Sequence, residues 1–65
     1  MVKYPQVVVK LVGTDGNAFA LIGKVSKAMQ QAGLQAEAVE FRQAAFESKS
    51  YDDLLQLILA TVDAR

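Results

Sequence analysis

The first stretch of this chain whose residue types could do chemistry is Gly13-Thr14-Asp15-Gly16-Asn17. A Gly-rich turn that leads from a strand into a helix N-terminus can hold an anion on its backbone amides. The specific phosphate-binding forms are absent. A P-loop needs four residues between its glycines and a Lys-Ser/Thr ending, whereas six residues separate Gly16 from Gly23 and Lys24 precedes Val25. The dinucleotide fingerprint needs three glycines at its own spacing and a crossover to a second parallel strand, and neither is seen. Gly13-Thr14-Asp15-Gly16 matches the GxxG of KH domains in letters, but that loop clamps a nucleic-acid backbone between two helices, and here it follows a strand and carries an acid. Asp15 would repel a phosphate. The expectation is a turn in which Asp15 or Asn17 caps the following helix.

The carboxylates offer little more. Asp15 and Asn17 lack the further ligands and closing Glu of a calcium loop. Asp52 and Asp53 are adjacent, so on a helix they point about 100° apart. Glu37 and Glu40 share a face at i, i+3, which is the pattern of a solvated first turn favoured by the helix dipole. The chain has no His and no Cys, which removes the usual general base, the commonest metal ligand and the thiolate nucleophile. No nucleophile, base and orienter occur together, so no catalytic, cofactor or metal site is expected and the chain does not read as an enzyme. That leaves contact residues. Phe19 lies off the centre of its helix stripe and suits a cover for the strand or an interface, while Phe41 and Phe46 read as core. The Tyr51 ring can pack with its hydroxyl turned to solvent. Lys24 and Lys27 share the exposed face of one helix. The candidate turn or contact residues are therefore Asp15, Gly16, Asn17, Phe19, Lys24, Lys27, Tyr51 and Asp52.

The elements that must position these residues follow from periodicity. Tyr4–Val12 alternates Val7, Val9 and Leu11 on one face with Val8, Lys10 and Val12 on the other, which predicts a strand over about residues 6–12 with Pro5 at its start or edge. From residue 17 the period becomes 3.6. Ala18, Leu21, Ile22, Val25, Ala28, Met29 and Ala32 form a stripe, predicting a helix over 17–32 that Gly33 ends, with Leu34 making the hydrophobic contact of a Schellman motif. A second helix is expected over 36–47, weakly capped by Gln35, with Ala38, Phe41 and Ala45 on one row and Val39 and Phe46 on a neighbouring one. Ser50-Tyr51-Asp52-Asp53 resembles a capping box that opens a third helix over 50–61. Tyr51, Leu54, Leu55, Ile58 and Val62 make its stripe, widened by Leu57 and Leu59. Thr61–Arg65 reads as fraying helix or a short strand. A lone strand leaves its backbone groups without partners. It must pair with that C-terminal segment or with a second copy, giving an α+β fold either way.

Composition bounds the rest. At 65 residues, 52% hydrophobic and 22% charged, the chain reads as one small globular domain over residues 1–65 with marginal stability. Seven basic and seven acidic residues cancel, so no bulk field draws it to nucleic acid or membrane. The charge is uneven, however: Lys3, Lys10, Lys24 and Lys27 face only Asp15 in residues 1–33, and the second half mirrors that excess with acids. No signal-peptide pattern or long apolar run is present, so a soluble cytoplasmic protein is expected.

Residues 10–33, K-L-V-G-T-D-G-N-A-F-A-L-I-G-K-V-S-K-A-M-Q-Q-A-G, together with 48–55, S-K-S-Y-D-D-L-L, are similar to a group of short bacterial and phage-associated proteins. The likeness covers nearly the whole chain, and Gln35 departs from it where a better capping residue is expected. It implies no activity, cofactor or catalytic residue, but it marks Asp15–Phe19 and Tyr51-Asp52 as places to look. The functional expectation is an interaction or accessory module without catalytic activity, whose partner is another protein or a second copy. Its contact surface would be the helix-one face around Phe19, Gly23 and Lys27, or the strand edge. A ribbon-helix-helix DNA-binding dimer is the alternative. Strand then helix then helix is its order, but Val8 and Val12 beside Lys10 read bases poorly and neutral charge denies the counterion-release term.

Overall fold

The computed structural model describes residues 2–11 and 17–65. Its elements are β1 (Tyr4–Val9), α1 (Ala18–Gln31), α2 (Gln35–Phe46), α3 (Tyr51–Thr61) and β2 (Val62–Ala64). Val12, Gly13, Thr14, Asp15 and Gly16, and with them the Gly-rich turn, lie outside the described residues.

The strand's need for a partner is met within the chain. β2 pairs parallel with β1 in a two-stranded sheet, with Tyr4 opposite Val62, Val8 opposite Asp63 and Val9 opposite Ala64. Parallel strands require a long crossover, which the three helices supply. The strand begins at Tyr4, two residues before the expected start, and ends at Val9 where Val12 was expected. The pairing nevertheless continues one step further: the Arg65 N–H donates to the Val9 carbonyl and the Leu11 N–H to the Arg65 carbonyl, each at 2.8 Å. The register is irregular between Tyr4 and Val8. Pro5 falls in that span and has no N–H to give the ladder, which accounts for the interruption.

The helices end where local chemistry ends them. Asn17 Oδ1 accepts from the Ala20 N–H at 3.1 Å and caps α1. At the other end the Gly33 N–H donates to the Gln30 carbonyl and the Leu34 N–H to the Met29 carbonyl, a Schellman motif with Gly33 at φ +83°. The N-cap of α2 is Leu34 and not Gln35, which is already the first helical residue, and Leu34 offers no side-chain cap hydrogen bond. Ser50 Oγ accepts from the Asp53 N–H at 3.1 Å and caps α3.

Helix α1 packs on β1 and on α2, while α3 packs on β2. Val25, Met29, Ala38, Ile58 and Val62 are completely buried, so every helix and β2 contribute to one core, closed on the strand side by Val7 and Val9. Several expectations need correction. Ala32 is exposed rather than part of the α1 stripe, because it already belongs to the turn. Val39 and Phe46 are exposed, so α2 buries one row and not a broad face. Leu59 is likewise exposed on α3. Ser26 and Thr61 are buried polar residues, and the Thr61 hydroxyl is satisfied by donating to the Leu57 carbonyl at 2.6 Å.

Two glycines separate conformation from space. A Cβ at Gly23 or at Gly33 would meet no atom within 4 Å, but only Gly33 has a left-handed backbone. Gly33→Ala is therefore expected to lose about 1 kcal/mol, and Gly23→Ala, in mid-helix, to gain up to about 1 kcal/mol. Urea unfolding of both variants checks the opposite signs.

Candidate functional site

One groove is built where three helix ends meet. Phe19 stands in the first turn of α1, Phe46 closes α2 and Tyr51 opens α3. The floor is apolar and belongs to the core: Ile22, Ala45 and Leu54 are buried beneath it. The volume is about 220 Å³, open to one side, with Ser48, Lys49 and Ser50 along the rim.

The walls are the unusual part. Phe19 is 76% exposed, Phe46 is 61% exposed and Tyr51 is 39% exposed. The two phenylalanine rings lie with centroids 6.0 Å apart and planes inclined by 47°, within the range of attractive tilted pairs. That contact is worth roughly 0.5–1.5 kcal/mol, less than full burial of one ring would give. Phe46 misses the core because of its phase. With about 100° per residue, Val39 and Phe46 fall on one row, turned some 80–160° from Ala38, Phe41 and Ala45. The row was visible in the sequence; its lack of a covering element was not.

Of the residues expected to act, Asn17, Phe19, Tyr51 and Asp52 come to this end of the molecule, where Asn17 is a cap and Asp52 is exposed in the first turn of α3. Phe46 and Lys49 join them. Asp15 and Gly16 lie outside the described residues. Lys24 and Lys27 are not brought to this groove; they line a different one with β1. Glu37 and Glu40 border a third groove, opposite Lys3 and Tyr4, with the Lys3 ammonium 5.7 Å from the Tyr4 ring centroid.

The apolar floor and exposed rings of the groove suit binding by contact. Ser50 Oγ is engaged as a cap and Ser48 Oγ donates to the Ala44 carbonyl at 3.5 Å. Among the described residues no three acidic, His or Cys side chains gather as a metal site, and no helix is long and apolar enough to cross a membrane. The salt bridge between Arg65 and Asp63, 3.0 Å long, lies on β2. The Asp63 hydrogen bond, then its charge, raises the guanidinium pKa above its ordinary value.

Removing the exposed rings should leave the fold nearly intact. Phe19→Ala and Phe46→Ala are each expected to cost less than about 1.5 kcal/mol, and buried Phe41→Ala about 3–5 kcal/mol. Asn17→Ala and Ser50→Ala are each expected to cost about 1 kcal/mol as lost caps. Chemical denaturation of the five variants measures this order.

Comparison with protein-family models, with curated proteins and with solved structures returns no match to this chain, so the reading of the groove rests on its own geometry.

Proposed function

We propose that this chain is a non-catalytic binding module that works as a pair, two copies meeting through the aromatic groove. The observation that carries this reading is the tilted, mostly exposed Phe19–Phe46 pair. Two large rings in contact with water cost free energy that a partner surface recovers. The groove, at about 220 Å³, is smaller than the roughly 300–1,000 Å³ of small-molecule sites. It suits an inserted side chain better than a free metabolite.

The rim favours a second copy as the occupant. Lys49 lines the rim, and Asp52 and Asp53 follow in the first turn of α3, so a two-fold contact can set the lysine of each copy toward the acids of its partner. Zero net charge puts no long-range repulsion between copies. The contact would be modest. A standard interface of about 800 Å² per partner would take nearly a fifth of the 4272 Å² accessible surface, more than three rings and their rim supply.

The ribbon-helix-helix alternative requires β1 to pair antiparallel with a second copy and read DNA. Here β1 gives one edge to β2 in the same chain, and its outward side chains include Val8 and Lys10, a poor base-reading set.

Sedimentation velocity across roughly 10 μM to 1 mM tests the pairing, a range that spans the weak end of specific affinities. The expected result is a concentration-dependent dimer for the native chain and a monomer for Phe19→Asp. A native chain that stays monomeric at the top of that range, or a Phe19→Asp variant that dimerises equally well, would overturn the reading.

A further inference from the structure

The outer edge of β1 is a second surface, sharing no lining residue with the aromatic groove. In the parallel ladder the Val9 carbonyl and the Leu11 N–H face β2. Backbone groups alternate direction along a strand, so those of Val8 and Lys10 face the opposite way, where the sheet has no third strand among the described residues. The Val8 side chain is 49% exposed. Beside this edge runs a groove of about 310 Å³, walled on one side by Val8 and Lys10 and on the other by Lys24, Lys27, Ala28 and Gln31 of α1.

Three lysines therefore border one groove beside a strand edge that no other described strand occupies. Among the described residues none of the three lysines has an ion-pair partner and no carboxylate lines the groove. A single lysine on an edge strand is a common guard against accidental pairing. That role accounts for Lys10, but it does not call for Lys24 and Lys27, which arise from a neighbouring helix and border the same space. Lys24 is half-buried, as suits a long side chain that can bury its stem and keep its charge in water.

We infer that this edge binds an extended acidic peptide segment, which adds a strand beside β1 and sets carboxylates against Lys10, Lys24 and Lys27. Main-chain hydrogen bonds to Val8 and Lys10 supply the register, and the lysines select the sign of the ligand's charge. Two-fold pairing of β1 edges between copies is opposed by like charge, since it would crowd six lysines together. Nucleic acid is disfavoured because the groove has no aromatic side chain on which a base could stack.

The test is an NMR titration of the labelled full chain with a capped peptide of about seven residues alternating Glu with Thr or Val. Parallel arms use the same peptide with Lys for Glu, the Glu peptide N-methylated at alternate residues, and single-stranded oligothymidine. Saturable shifts centred on the Val8 and Lys10 amides are expected with the Glu peptide alone. Lys24→Glu with Lys27→Glu should weaken binding about tenfold or more, with an unchanged far-UV circular dichroism spectrum. If that double variant fails to fold, Lys27→Glu alone should still weaken binding measurably. Repeating the titration on Phe19→Asp separates this surface from self-association, and the same shifts are expected there. No saturation below about a millimolar, equal binding of the Lys or N-methylated peptide, tighter binding of the oligonucleotide, or shifts confined to the aromatic groove would overturn the inference.

Discussion

The fold depends on three residues of β2. A single strand cannot satisfy its own backbone, and the sequence contains one convincing strand. By pairing parallel with β1, Val62–Ala64 give that strand a partner, and Val62, completely buried, ties the pair to the helical core beside Ile58 and Met29. The parallel direction requires the chain between the strands to run back along the sheet, which α1, α2 and α3 do. Only one face of β1 is then covered. Val7 and Val9 are buried, while Val8 and Lys10 remain at the surface.

Both candidate surfaces follow from that arrangement. A two-stranded sheet has two outer edges, and the α1 lysines flank the edge of β1 that β2 does not occupy. The aromatic groove arises at the helix ends. Asn17 and Ser50 cap α1 and α3 there, and the Glu47 and Ser48 N–H groups donate to the last carbonyls of α2, so these termini need no further element packed over them. The rings at the groove, Phe19, Phe46 and Tyr51, are left without cover of their own. A dimer through the groove would leave both β1 edges open and give an acidic partner two sites to engage.

The sequence carried the elements well where the signal was local. The 17–32 stripe, Gly33, Ser50 and the weak start at Leu34-Gln35 all describe hydrogen bonds within a few residues, and α1, α2 and α3 lie within one residue of their expected bounds. It carried the strand less well. The alternation puts the strand's start near residue 6 with Pro5 at its start or edge, yet β1 begins at Tyr4 because the interrupted register tolerates a residue without an N–H. What covers a helix row is a non-local property. Phe46 and Val39 looked like core because they are apolar, and no local pattern shows that nothing packs on them. The convergence of Lys10 with Lys24 and Lys27 has the same origin: the three are distant in sequence and are brought together by the packing of α1 on β1.

Amide hydrogen exchange on the dilute free protein tests the central claim most directly, because it reads the two sides of β1 separately. With β2 paired on one edge and the other open, the amides of Leu11 and Arg65, which donate to carbonyls across the sheet, and that of Lys3, which donates to the Ala60 carbonyl near the end of α3, should be protected. Those of Val8 and Lys10 should exchange at close to unprotected rates. Val8 and Lys10 protected as strongly as Leu11 would mean that β1 is flanked on both sides, and an unprotected Leu11 and Arg65 would mean that β2 does not hold it; either result would contradict the account.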